Sequence, residues 1–303
     1  MPRPMSASGT LATAVSIGRL HIVAIAALGT LTFGWLFTGH HPWLLALVCA
    51  TDWFVVNLLN RIVDLEEDRA NQIRGTAFVA RHRRAVFAVG LGLLVGSMVL
   101  THRFEPNLTP LRVGYHALGF AYNWPLIPWV GRIKPLYFWK NTASATGFLI
   151  TVFGYPLATV GWGLDASRLA NGISLTTLLL AAAFFFLFEI SYEVIYDLRD
   201  AQGDAIAGVR TYPVVHGEAV SLRIIDGLLL ASSALLIGGY AMGHVPWRMV
   251  VMVLAPLLQW VLYKRAHRRG ITSQDCIRLT WLGAGLLLGY HLWILAGLPG
   301  VNA

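Results

Sequence analysis

The chain has 303 residues, of which 56% are hydrophobic and only 13% are charged, and its mean hydropathy is +0.61. Soluble domains carry about 25% charged residues, so this composition excludes a soluble globule and a disordered chain. Two cysteines far apart in the sequence exclude a disulfide framework. Long apolar runs between short charged loops predict an all-α, polytopic membrane protein.

Nine apolar segments are long enough, or nearly so, to cross about 30 Å of hydrocarbon. In chain order they cover residues 15–38, 42–62, 85–101, 110–127, 139–160, 174–196, 219–242, 246–263 and 278–298. The sequence therefore predicts nine transmembrane helices joined by short loops.

The distribution of Lys and Arg predicts the orientation of these helices. With a cytoplasmic N-terminus, 19 of the 23 Lys and Arg residues lie on the cytoplasmic side. The positive-inside rule then places the C-terminus on the opposite side. Because this topology explains the net charge of +8, the charge does not indicate a nucleic-acid partner, and the lipid bilayer is the expected partner.

Acidic residues are concentrated at the predicted cytoplasmic ends of the second and sixth segments. Spacings of three and four place the members of each group on one helix face. Oxygen ligands without His or Cys suit Mg²⁺, which takes one or two carboxylates from a protein and its other ligands from phosphate and water. Two groups at the same depth therefore predict a diphosphate bridged by Mg²⁺, although one such run alone would be a solvated helix end. The predicted ligands are Asn60, Asp64, Asp68, Asp197, Asp200 and Asp204.

At these two stretches the sequence resembles the UbiA superfamily of intramembrane prenyltransferases. Residues 60–68 match the family pattern N-x-x-x-D-x-x-x-D, and residues 197–211 match D-x-x-D-x-x-G-D-x-x-x-G-x-x-T. Residues 122–125, 132–134 and 140–141 also resemble the family. One departure is Arg61, because many members carry Asp directly after the first Asn.

The resemblance implies a UbiA-type bundle around a central cavity, formed by one domain over residues 1–303. Its pseudo-repeat halves would cover roughly residues 15–130 and 135–265, with a ninth helix in addition. The implied reaction is the Mg²⁺-dependent transfer of a prenyl group from an allylic prenyl diphosphate to an aromatic or other lipophilic acceptor. The expected catalytic residues are Asp64, Asp68, Asp200 and Asp204.

Basic residues in the predicted cytoplasmic loops are candidates for binding the diphosphate. Lys134 and Lys140 are the stronger candidates, and Arg74 and Arg210 are the weaker ones. Topology alone would also explain Lys and Arg at these positions.

Three acids lie deeper in the predicted helices and are candidates for the acceptor site. Asp52 lies eight residues before Asn60, and Glu189 and Glu193 precede Asp197 on its helix face. An acid inside a membrane helix is costly and usually faces a cavity or a partner. Each could orient or deprotonate the acceptor, or it could pair with a buried Tyr, Trp or His residue such as His21 or His116.

Two other functions remain open at the level of sequence. A UbiA-type terpene cyclase would keep the fold but need no acceptor. A secondary transporter is disfavoured, because its polar sites lie near the membrane midplane, whereas these motifs lie at the cytoplasmic ends. The sequence identifies neither the acceptor nor the prenyl chain length.

Overall fold

The computed structural model of the protein describes residues 7–71 and 73–297, so the two ends of the predicted domain lie outside the described residues. Within these ranges the chain is helical and contains no β-strand. The helices are α1 (Ala7–Ile17), α2 (Leu20–Thr38), α3 (Trp43–Val63), α4 (Leu65–Ala70), α5 (Thr76–Arg81), α6 (Arg83–Phe104), α7 (Thr109–Asn123), α8 (Trp139–Phe148), α9 (Tyr155–Thr159), α10 (Leu175–Ile206), α11 (Tyr212–His216), α12 (Glu218–Ala241), α13 (Trp247–Val250), α14 (Leu254–His267) and α15 (Ser273–Leu295). A π-helical stretch joins α8 to α9, and a 3₁₀ turn joins α13 to α14.

Each of the nine predicted segments contains a helix, but fewer of them qualify as membrane spans. Among the described residues, six helices are long and apolar enough to cross a membrane: Leu20–Thr38, Trp43–Val63, Arg83–Phe104, Leu175–Ile206, Glu218–Ala241 and Trp247–His267. Of the other three segments, α7 has only 15 residues, and the segment from α8 to α9 is interrupted by the π-helical stretch. The structure thus supports an all-helical membrane protein and leaves the count of nine spans as a prediction.

The first predicted segment is interrupted near its start. Arg19 adopts a left-handed backbone conformation with φ of 45°, which separates α1 from α2. Such a conformation is uncommon for a residue other than glycine. The break places Arg19 at the end of α2 rather than along the side of a continuous helix.

Helix α10 is longer than predicted, because it continues ten residues past residue 196 to Ile206. It begins with a capping box formed by Ser174 and Thr177. A glycine can end a helix, but Gly203 lies inside α10 and does not end it, since the chain leaves the helix only before Gly208, whose φ is +69°. Gly203 instead leaves room for Asn71, whose side-chain oxygen would lie 2.7 Å from a Cβ at this position.

Apolar packing holds the bundle together and leaves some helices at its edge. Helix α2 packs against α3 and α15, and α10 packs against α12. Aromatic contacts fill the interior, including Phe33 against Phe153 with ring centroids 4.4 Å apart and Trp53 against Phe148 at 4.0 Å. Helix α6 lies at the periphery, because only 17% of its most apolar stretch is buried inside the protein.

A polar network around Asp52 on α3 ties this helix to α6, α7 and α9. Arg112 of α7 donates hydrogen bonds to both Asp52 oxygens, at 2.9 and 2.5 Å, and also bonds Ser97 of α6. The same carboxylate accepts hydrogen bonds from Tyr155 at 2.7 Å and contacts His116 at 3.0 Å. Both oxygens of Asp52 are therefore fully occupied, and pairing with His116 is the structural alternative that the sequence left open.

We predict that Arg112→Met lowers the free energy of unfolding by about 3–5 kcal/mol, because it leaves Asp52 buried without its cation. The matched control is Arg168→Met, which removes an exposed ion pair with Asp165 and should leave stability nearly unchanged. Unfolding would be followed by circular dichroism during a denaturant titration in micelles. A loss no larger than that of the control would contradict the structural role of the network.

Candidate active site

A cavity of about 270 Å³ lies between α2, α3, α7, α8, α10 and α15. Both acidic groups border it, one from the end of α3 and α4 and the other from the last turns of α10. Further from these groups its walls carry aromatic side chains, including Trp53, Tyr115, Phe148 and Tyr192. We call the end that carries the acidic groups the mouth of the cavity and the aromatic part its interior.

The first acidic group is paired with basic side chains from within the motif and from other parts of the chain. Lys134 contacts Asp64 and Glu67, each at 2.6 Å. Asp68 contacts Arg61 at 2.5 Å, and Arg19 lies 4.0 Å from it. Burial raises the pKa of the Asp68 carboxyl, although the positive charges of Arg19 and Arg61 oppose this shift.

The second acidic group has corresponding partners. Lys140 of α8 contacts Asp197 at 2.5 Å and Asp204 at 3.3 Å. Asn141 donates a hydrogen bond of 2.8 Å to the other Asp197 oxygen. Asp200 pairs with the neighbouring Arg199. Asp204 is buried beside Lys140 and does not line the cavity.

The donor atoms at the mouth fit a hard cation such as Mg²⁺. Among the predicted metal ligands, three buried oxygen atoms accept no hydrogen bond from the described part of the chain, namely Oδ1 of Asn60, Oδ1 of Asp64 and Oδ1 of Asp204. Across residues 7–71 and 73–297, no group of three or more His, Cys, Asp or Glu side chains is placed to hold one ion. The three unpartnered oxygen atoms are the kind of ligand that Mg²⁺ takes from a protein, with its other ligands coming from phosphate and water.

Charge at the mouth is already nearly balanced before any substrate binds. The acidic side chains that line this end are Asp64, Glu67, Asp68, Asp197 and Asp200. The Lys and Arg side chains that line it are Arg19, Lys134, Lys140 and Arg199. Each of these four contacts at least one of the acids. A diphosphate therefore brings negative charge that these side chains alone do not compensate, and an additional cation would compensate it.

The structure separates the predicted diphosphate-binding residues into two sets. Lys134 and Lys140 line the cavity, whereas Arg74 and Arg210 are exposed and lie outside its lining. Sequence reasoning missed Arg19 and Arg199, which do line it. The position of Arg199 inside the second motif was an available signal, whereas nothing in the local sequence marks Arg19.

The three deeper acids also occupy different environments. Asp52 does not line the cavity and belongs to the network with Arg112. Glu193 lines the cavity and accepts a hydrogen bond of 2.6 Å from Ser144. Glu189 lines the cavity one helical turn further from the mouth.

A second cavity of about 300 Å³ adjoins the first and is almost entirely apolar. It lies between α2, α10, α14 and α15, and Glu189 is the only charged side chain among its described lining residues. The two cavities share four lining residues, which are Ile25, Phe148, Glu189 and Tyr192. Together they form a space that is charged at one end and apolar at the other.

The model of the UbiA prenyltransferase family matches residues 22–285. The chain belongs to this family. It is 29% identical over 219 residues to the digeranylgeranylglyceryl phosphate synthase of Methanopyrus kandleri, a match that covers 70% of each chain. It is 24% identical over 299 residues to homogentisate phytyltransferase 1 of Arabidopsis thaliana, which covers 92% of this chain and 70% of that one.

Solved structures of UbiA homologues share the fold. A homologue from Archaeoglobus fulgidus, solved bound to GPP and Mg²⁺, superposes with a TM-score of 0.69 at 13% sequence identity. The superposition covers 94% of this chain and 99% of that one. The UbiA-family chain described here is thus an integral membrane prenyltransferase.

Proposed function

We propose that this UbiA-family enzyme transfers the prenyl group of an allylic prenyl diphosphate to a lipophilic acceptor inside the membrane, and that it requires Mg²⁺. The observation that carries the proposal is the arrangement of the cavity. Two groups of acids with their lysines form the mouth, and aromatic and apolar side chains form the interior.

The diphosphate of the donor would bind at the mouth. Lys134 and Lys140 are placed to contact its oxygens, as basic side chains commonly do. Bound Mg²⁺ would neutralise the charge that develops on the leaving oxygen. Its proposed protein ligands come from two separate groups, which are Asn60, Asp64 and Asp68 in the first and Asp197, Asp200 and Asp204 in the second, with Asp204 outside the cavity lining.

The prenyl chain would lie along the interior and continue into the second cavity. The bond between C1 of the prenyl group and oxygen breaks, and its electron pair leaves with the diphosphate. The acceptor donates an electron pair to C1, and the new bond forms as the acceptor loses a proton. The faces of Trp53 and Phe148 can shelter positive charge on the allyl group, and the apolar walls exclude water that would otherwise react with it.

We also propose nine membrane-crossing segments with a cytoplasmic N-terminus and the C-terminus on the opposite side. The distribution of Lys and Arg supports this orientation. The pseudo-repeat halves, residues 15–130 and 135–265, are supported by the presence of one acidic group near the end of a long helix in each half.

We predict that activity disappears when EDTA removes divalent cations. We also expect that Asp64→Asn and Asp200→Asn each lower kcat/KM at least about 100-fold, because the negative charge on the leaving diphosphate is no longer neutralised. The control is Asp165→Asn, since Asp165 is exposed far along the chain from both motifs. Purified protein would be given GPP with and without acceptors, and products would be identified by mass spectrometry. Full activity in excess EDTA would contradict the proposal, and a cyclic product without acceptor would indicate a terpene cyclase.

Lys134→Gln and Lys140→Gln should each raise KM for the prenyl diphosphate about tenfold, because each removes a charged hydrogen-bond donor from the mouth. Arg210→Gln is the matched control, because Arg210 is exposed outside the cavity. Initial rates at varied donor concentration measure this change. Unchanged KM values for both lysine variants would mean that the two lysines do not bind the diphosphate and that membrane topology alone explains their presence.

Gly283→Leu should select against long prenyl donors. A Cβ at Gly283 would lie 2.7 Å from Ile25 and 3.0 Å from the Tyr192 hydroxyl, at the junction of the two cavities. A larger side chain would narrow this junction, so the rate with a twenty-carbon donor should fall about tenfold relative to the rate with GPP. Gly238→Leu is the control, because a Cβ there meets no atom within 4 Å. Equal effects on both donors would place the prenyl chain elsewhere.

A further inference from the structure

Helices α8 and α10 face each other along the cavity in three steps of changing polarity. At the mouth, Lys140 contacts Asp197 at 2.5 Å. Four residues further along each helix, Ser144 donates a hydrogen bond of 2.6 Å to Glu193. After four more residues, Phe148 and Glu189 both line the cavity and its apolar extension. Each step moves about 6 Å away from the mouth.

Glu189 has no partner at the third step. Its side chain is only 7% exposed, and within the described ranges no residue donates a hydrogen bond to it or forms an ion pair with it. An isolated buried carboxyl group inside a membrane is costly. Because Glu189 faces the space shared by both cavities, a hydrogen-bond donor on a bound molecule would relieve this cost.

Among the described lining residues, Lys and Arg side chains occur only at the mouth. All the Lys and Arg side chains that line the cavity contact mouth acids; they are Arg19, Lys134, Lys140 and Arg199. The other basic side chain in the lining, His21, follows Arg19 by two residues. An anionic group placed beside Glu189 would therefore meet the carboxyl groups of Glu189 and Glu193 and no compensating cation.

We propose that the acceptor carries no phosphate or carboxylate, and that its reacting end has a hydroxyl or N–H group that donates a hydrogen bond to Glu189. This inference rests on the proposed function and narrows its acceptor class. It sets this chain apart from relatives whose names specify a glyceryl phosphate or homogentisate.

In this arrangement Glu189 contacts the acceptor during transfer. The acceptor forms its new bond to C1 of the prenyl group while the C1–oxygen bond breaks and the diphosphate leaves with the electron pair. The proton that the acceptor loses passes to the Glu189 carboxylate. Glu193 lies one turn nearer the mouth, where it accepts the hydrogen bond from Ser144.

The experiment compares acceptors that differ by a single charge. Purified protein in micelles with Mg²⁺ and GPP is given methyl 4-hydroxybenzoate or 4-hydroxybenzoate, and a prenylated glycerol or its phosphate. We expect kcat/KM to favour the neutral member of each pair by about 100-fold. In the variant E189Q/E193Q this ratio should shrink at least about tenfold, because KM falls for the anionic acceptor and rises for the neutral one.

The control variant is Glu218→Gln, which makes the same chemical change at an exposed position on α12 and should leave the ratio unchanged. A wild-type preference for the anionic acceptors would overturn the inference, and so would a ratio that E189Q/E193Q leaves unchanged. Prenylation of neither member of a pair would also overturn it.

A separate measurement distinguishes failure of this inference from failure of the proposed function. Mg²⁺-dependent binding of GPP is measured by calorimetry in the same protein and in both variants. Binding that persists in E189Q/E193Q while acceptor preference changes supports the inference. If GPP does not bind in a Mg²⁺-dependent way, the proposed function itself fails, and the acceptor assignment fails with it.

Discussion

Compensation of buried negative charge is the constraint on which the rest of this structure depends. Acids that are scarce in the chain are grouped at one end of the bundle, where unpaired burial would cost several kcal/mol for each charge. The ion pairs of Lys140 with Asp197 and Asp204 offset this cost, and so do those of Lys134 with Asp64 and Glu67. These lysines attach α8 and the segment before it to both motifs, so the same contacts close the bundle and form the mouth.

The same constraint explains why two deep acids that look alike in the sequence behave differently. Asp52 and Glu189 both precede a motif by eight residues on the same helix. Arg112, Tyr155 and His116 satisfy every oxygen of Asp52 and exclude it from the cavity wall. Glu189 has an aromatic neighbour, Phe148, at the corresponding level and remains available to a ligand. Spacing along one helix predicted depth for both, but partners from other helices decided their environments.

Sequence patterns predicted the features that depend on residues close together in the chain, such as helices and the spacing of acids. They missed the features that depend on contacts between distant residues. Apolar runs located all nine helical segments, because each run must be buried or face lipid wherever the rest of the chain lies. The spacing of the acids placed both groups on the cavity, with the exception of Asp204 behind Lys140. The left-handed Arg19 and the π-helical stretch before α9 carry no periodic signal. The pairing of Asp52 with Arg112 joins residues 60 positions apart.

In the proposed reaction, negative charge develops on the diphosphate and positive charge on the prenyl group. The distribution of charge along the cavity favours the negative charge at the mouth and the positive charge in the interior. The departing diphosphate carries negative charge toward the mouth, where Lys134 and Lys140 lie. The prenyl group is left with positive charge among aromatic faces and nearer to Glu193 and Glu189. Both ends of the breaking bond are then stabilised by groups whose positions are fixed before the reaction begins, which is the condition under which electrostatic stabilisation lowers a barrier most. An anionic acceptor would forfeit part of this advantage, because its binding would require a cation in the interior, and that cation would oppose positive charge on the prenyl group. The acids that select a neutral acceptor and the aromatic faces that shelter the allyl group therefore serve the same step.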